Sequence, residues 1–251
     1  MDAKEVAKLC ASLSLMEAST SATKIEGKLK EVGDRKLSLC LVGKIWTIKQ
    51  VNREAFRATN PKIWRTKHEV QVEVLQENIF VFHFRNYEDR QRVLSGGPWS
   101  FNRGLLVLEE PEEAGNIQNM AFKKAEFWIQ VYNAPLVCMN KEIGSFLENK
   151  IGELCEIDVG TTGDCLGKYL RVRVKIDITK PLQRCLKIDL GTNKETLLLL
   201  QYERLLDHCF HCGLLGHTVL ECVIANKQKG EVDYSYGAWL RASSPTKSRP
   251  A

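Results

Sequence analysis

Apolar and polar positions change rhythm several times along this chain, and each change predicts an element. The segment EVQVEVLQ (69–76) alternates valine with polar residues at period two, as a half-buried strand does. NIFVFHFR (78–85) is a second strand, and the tight join at Glu77 and Asn78 makes the pair a hairpin. Upstream, LSLCLVGKIW has the aliphatic density of a buried strand, and Asn52 stands where a cap would open a helix carrying Phe56 toward Trp64. Pro61 should end or kink that helix. Residues 87–94 read as a short charged helix stopped by Gly96-Gly97-Pro98, and LLVLEE (105–110) as a last strand. Strand, helix, strand, strand, helix, strand, with a hairpin in the middle, is the split βαβ plan. Both helices cover one face of a four-stranded sheet and leave the other open.

A polar link leads to a second unit in which FWIQVYNAP is a strand, residues 141–151 a helix, and LCEIDVG, KYLRVRVKIDI, RCLKIDL and ETLLLLQYERL further strands. In the second of these four, Val172, Val174, Ile176 and Ile178 share one face, while Arg171, Arg173, Lys175 and Asp177 share the other. Before both units, residues 1–34 carry Leu9, Leu13 and Met16 at helical spacing in an Ala-, Ser-, Glu- and Lys-rich leader. After them, residues 225–251 return to Lys, Ser, Gly and Pro, a composition that predicts a mostly disordered tail. The expected divisions are a loosely helical leader (1–34), a first domain (35–111), a second α+β unit (125–204), a metal-binding segment (205–224) and the tail (225–251).

Composition narrows the class. Hydrophobic side chains at 44% and charged ones at 27% exclude collagen-like and wholly disordered chains. The first residues offer no charged stretch followed by an apolar one, and the longest purely aliphatic run is Leu197 to Leu200, so neither a signal peptide nor a membrane span is expected. Nine cysteines, an odd number and mostly single within strand-like segments, point to thiols in a reducing, intracellular compartment. A net charge of +5 permits a polyanionic partner without demanding one.

The sharpest chemistry lies in HCFHCGLLGHTVLEC, where Cys209, Cys212, His217 and Cys222 stand at C-x2-C-x4-H-x4-C. Three thiolates and one imidazole suit tetrahedral Zn²⁺, and Gly213 and Gly216 allow the loop to turn back around the metal. This is zinc-knuckle spacing. Four protein ligands close the site, leaving no position for an activated water, so the expected role is structural. A segment this short should fold only with its metal. Phe210, with Leu214, Leu215, Val219 or Leu220, could form the apolar cleft that takes an unstacked base, whereas His208 and His211 read as bystanders. No Lys or Arg occurs between Leu205 and Asn226, although phosphate binding would call for cations.

Several segments together resemble a known plant family: LVGKIW (41–46), the helix ending in Ile63-Trp64, FVFHF (80–84), EDRQRVLSGGPWSF (88–101), FWIQVYNAPL (127–136), the knuckle, and YGAWLRA (236–242). That family is related to the first reading-frame product of LINE-type retrotransposons and pairs an RRM-like domain of unknown function with a CCHC knuckle. The resemblance implies an α+β fold: an RRM-like split βαβ sandwich, then a second small α+β unit and the CCHC zinc knuckle. It also implies nucleic-acid binding, chiefly to RNA, by a retroelement-derived protein.

RRM sheets stack bases on rings of their third strand. Here the favoured register turns Phe80, Phe82 and Phe84 into the core and leaves Ile79, Val81 and His83 on the open face; a one-residue slip would reverse this. With the rings inside, the open face either binds RNA weakly or is covered by the second unit. Phosphate contacts then fall to Arg53, Arg57, Lys62, Arg65, Lys67, Arg90, Arg92 and Arg103. Trp239, in the polar tail, should dock on the knuckle or meet a partner. No phosphate loop, nucleophile elbow or paired-carboxylate cluster appears, so an enzyme is not expected. The leading expectation is a zinc-dependent binder of single-stranded RNA or DNA, in nucleus or cytoplasm with the nucleus preferred. The alternative is a protein-interaction module built on the knuckle and tail, with self-association included.

Overall fold

The computed structural model describes residues 24–243, apart from 77, 113–115, 161–164, 166, 192–194 and 226–233, together with residues 4, 5 and 8. The chain divides into two compact units, residues 1–36 and 37–251. Helix α1 (Gly27–Ser38) has no buried residue; it extends past the expected leader, while Leu9, Leu13 and Met16 lie outside the described residues. No described helix is long and apolar enough to cross a membrane. None of the eight described cysteines is in a disulfide.

The larger unit opens with β1 (Cys40–Trp46), α2 (Arg53–Ile63), β2 (Gln71–Gln76), β3 (Ile79–His83), α3 (Tyr87–Ser95), β4 (Trp99–Phe101) and β5 (Gly104–Glu109). Asn52 caps α2 by accepting the Ala55 N–H at 3.0 Å, and Asn86 caps α3 by accepting the Asp89 N–H at 2.7 Å. Pro61 lies inside α2, which runs on to Ile63. The hairpin forms as expected, with Asn78 in the left-handed region at φ 58°. The sheet order is β2-β3-β1-β5-β4. Short β4 is an addition to the expected four strands, paired with β5 across a tight turn at Asn102 and Arg103.

Alternation sends Phe80, Phe82 and Phe84 to the helix side of this sheet, where they pack with Phe56 and Trp64. The favoured register therefore holds, each ring contributing about 1.5–3 kcal/mol of burial. The opposite face is not open. Val42, Val81, Leu105 and Val107 belong to a core continuous with Phe127, Ile129, Val172 and Val174 of the second sheet. An exposed apolar face of that size would be unfavourable in water, and the rest of the chain covers it.

The second sheet contains β6 (Lys124–Tyr132), β7 (Glu153–Ile157), β8 (Leu170–Asp177), β9 (Cys185–Asp189) and β10 (Glu195–Glu203), with α4 (Lys141–Ile151) after β6. A short strand β11 (Arg241–Ala242) joins it at one edge, and its order is β11-β10-β6-β8-β7, with β9 beside β10. The four strands β10-β6-β8-β7 thus repeat the order of β5-β1-β3-β2 in the first sheet. On β8 the expected division holds: Val172, Val174 and Ile176 are buried in the core, and Arg171 faces the other way. There Arg171 grips Glu203 through Nε at 2.8 Å and Nη2 at 2.9 Å, and its guanidinium lies 3.8 Å from the Trp128 ring centre.

The expected disordered tail holds an ordered segment. A 3-10 turn, Ala238–Leu240, leads into β11 (Arg241–Ala242), which runs parallel to β10, and Leu240 is fully buried. Residues 226–233 and 244–251 of that tail lie outside the described residues.

Candidate metal centre

Local backbone geometry builds the knuckle. Cys209 and Leu214 pair through the Cys209 N–H and Leu214 carbonyl at 2.9 Å, and Gly213 donates back to the Cys209 carbonyl at 2.8 Å. Gly213 and Gly216 adopt φ values of +75° and +91°, which glycine reaches without strain. Downstream, Thr218 and Glu221 form a capping box on the short turn Val219–Glu221, which sets up Cys222.

The ligand atoms of Cys209, Cys212, His217 and Cys222 lie within 4.8 Å of one another, and Cys212 Sγ is 3.4 Å from His217 Nε2. A tetrahedral zinc ion with Zn–S of about 2.3 Å and Zn–N of about 2.0 Å sets its ligand atoms roughly 3.5–3.8 Å apart, so the set fits zinc. The Cys212 N–H points at Cys209 Sγ from 3.5 Å, the kind of outer contact that steadies a thiolate ligand.

Ionisation without the metal is uneven. Burial pushes the Cys222 thiol up, but the Ala225 N–H, His217 and Cys209 overcome it and hold the thiol at about 6. Burial drives Cys212 to about 12, with Cys209 adding to the rise. Three sulfurs this close cannot all carry negative charge unaided; a dication supplies the compensation.

The knuckle is packed against the body of the protein. Leu215 enters the main core, and the Leu182 N–H donates to the Gly213 carbonyl at 2.9 Å. Trp46 of β1 lies against Gly216, where an added Cβ would meet indole Cδ1 at 2.9 Å. Tyr236, rather than Trp239, is the tail residue that docks here. Its ring covers Gly213, its N–H donates to the Phe210 carbonyl at 3.0 Å, and Trp239 remains half exposed. His208 is a buried structural residue, with Nδ1 3.2 Å from the Leu206 carbonyl and Nε2 3.1 Å from that of Gly237; burial lowers its pKa.

The expected apolar cleft is divided. Phe210 is half-buried with its ring 5.1 Å from that of His208, and Leu215 turns inward. Leu220, Val223 and Ile224 face outward instead. Of the proposed phosphate contacts, Arg53, Arg57, Lys62 and Arg65 are exposed on or just after α2. Lys67 pairs with Glu88 at 2.7 Å, and Arg92 lies 3.7 Å from Asp89. Arg90 is buried, with Nε donating to the Cys40 carbonyl at 3.0 Å and Nη1 2.7 Å from Glu110. Its cation is used internally. Arg103 is exposed and lies 3.7 Å from Asp207 at the entry to the knuckle. Sequence reasoning missed Lys49, 2.8 Å from Glu221. Nothing near Lys49 in the sequence signals that contact.

Comparison with known proteins agrees with this layout. Residues 33–112 match a family model described as a domain of unknown function (DUF4283), and residues 176–224 match one described as a zinc knuckle. The second match takes in β9 and β10 as well as the four ligands. An uncharacterized protein of Arabidopsis thaliana is 25% identical over 134 residues, 53% of this chain and 42% of the relative. The matched segment thus spans less than half the length of that relative. The chain pairs a domain of the DUF4283 kind with a CCHC zinc knuckle, a plant-type combination.

Proposed function

We propose that this protein is a non-enzymatic, zinc-dependent binder of single-stranded nucleic acid, chiefly RNA, in which the knuckle meets unstacked bases. The observation that carries the reading is a four-ligand zinc site beside the outward-facing Leu220, Val223 and Ile224. Zinc knuckles generally bind nucleic acids, and an apolar surface beside a rigid metal loop gives a base somewhere to stack out of water. A closed ligand set leaves zinc no open position, which favours a structural role over hydrolysis. The motif order shared with LINE-related proteins supports a retroelement origin, and an RNA-binding role suits nucleus or cytoplasm.

A second reading rests on one observation. No Lys or Arg stands between Leu205 and Asn226, whereas three apolar side chains there are exposed, as at a protein-interaction surface. Fluorescence anisotropy of labelled single-stranded RNA, with a DNA control, separates the two. The zinc-loaded chain should bind in a salt-dependent way, and Cys209→Ser/Cys212→Ser should weaken binding at least tenfold while the sheets stay folded. No binding by the zinc-loaded chain at low salt would refute the nucleic-acid reading and favour the second.

A further inference from the structure

The knuckle itself lacks cations, yet the fold brings several to it: Arg241 lies 3.6 Å from Asp207, and the first sheet adds two more. Lys49 follows β1, and its Nζ lies 2.8 Å from Glu221, between the apolar Leu220 and the ligand Cys222. Arg103 sits in the β4–β5 turn, with Nη1 3.7 Å from Asp207, two residues before the ligand Cys209. These two segments are neighbours in the first sheet: a Cβ added at Gly104 would meet Ile45 at 2.7 Å and Thr47 at 3.4 Å. The Trp46 contact with Gly216 holds the same end of the sheet against the zinc loop. One end of the first sheet therefore presents a cation at each flank of the knuckle.

Both side chains remain accessible, Lys49 at 71% and Arg103 at 80% exposure. Exposed ion pairs of this kind contribute only about 0–1 kcal/mol to stability, so their effect on the fold is small. Their effect on local charge is larger. Each offsets the acid beside it and keeps further N–H donors directed outward, since lysine has three and arginine five. On either side of Glu221 in the chain, Leu220 is 89% and Val223 70% exposed, a surface suited to a base but not to a phosphate.

We propose that Lys49 and Arg103 of the first sheet supply the phosphate contacts that the knuckle lacks, so that a single strand lies across the seam with a base on Leu220 and Val223. This rests on the nucleic-acid reading above and adds a location to it. The site is composite: apolar contact comes from the zinc segment and charge from the DUF4283-type domain.

The test is the salt dependence of binding by the full zinc-loaded chain to a labelled single-stranded 12-mer RNA. Lys49→Gln/Arg103→Gln is compared with Lys141→Gln/Lys150→Gln, two exposed cations of α4, and zinc content and thermal unfolding confirm that both variants fold. Each phosphate contact on a single strand contributes about 0.7 to the slope of log K against log salt, so the seam variant should lose about 1.4 in slope. Its affinity at low salt should fall at least tenfold, with the α4 variant close to the parent. An unchanged slope in the seam variant, while the parent binds, would overturn the composite site and leave the nucleic-acid reading intact. A parent that binds no single strand would remove both.

Discussion

Replacing Gly213 by alanine should weaken zinc binding, although residue 213 is not a ligand. Its φ of +75° is a conformation that costs an L-residue about 1–2 kcal/mol. The added Cβ would lie 2.3 Å from Cζ of Tyr236 and under 3 Å from two more ring atoms, so the ring must move. Overpacking of this kind costs about 1–3 kcal/mol. Together the two effects come to about 3 kcal/mol, and at 1.4 kcal/mol per decade that is roughly a hundredfold in zinc affinity if the whole cost falls on the metal-loaded loop. Competition with a chromophoric chelator measures it. In a Tyr236→Ala background the clash disappears and only the backbone cost remains, so Gly213→Ala should then weaken zinc binding by about tenfold. Equal losses in the two backgrounds would refute the claim that the tail ring rests on the zinc loop. So would a loss below about threefold for the single substitution.

Two further outcomes follow from the same geometry. Chelation of zinc should speed amide hydrogen exchange across 206–225 and in the 234–243 strap that packs on it, while β1, β6 and β8 stay protected; global unfolding, or exchange unchanged in the knuckle, would contradict this. Asp89 is buried, which by itself would raise its pKa, but the N–H groups of Lys67 and His68 and the Asn86 side chain hold it at about 2. A carboxyl depressed in the folded state contributes stability above its unfolded pKa of about 3.9 and loses it as pH falls through 2. Asp89→Asn should therefore lower Tm at pH 7, with the gap to the parent narrowing between pH 4 and 2; a gap independent of pH would count against the assignment.

What the sequence by itself determined is local. Valine alternation in β2, the cap Asn52, helix 141–151 and the zinc ligand set all involve residues within about fourteen positions of one another, where period, side-chain chemistry and spacing act directly. The inward turn of Phe80, Phe82 and Phe84 was legible for the same reason, since strand parity allows two choices and burial favours one. Short β4 escaped because three residues carry too little pattern to read, and they pair only because a tight turn returns the chain onto β5.

The tertiary structure decided what those elements face. Whether the far side of the first sheet meets water or the second sheet depends on where residues 127–202 pack, and no periodicity within 35–111 encodes it. Arg90 reads like its exposed neighbour Arg92, and only the approach of the Cys40 carbonyl and Glu110 buries its charge. Tyr236 lies 23 residues beyond Gly213 in the sequence, and Lys49 lies 172 residues before Glu221. Contacts of that separation arise from chain topology and shared burial: sequence spacing specified a zinc site, while the packing of two sheets gave that site its neighbours.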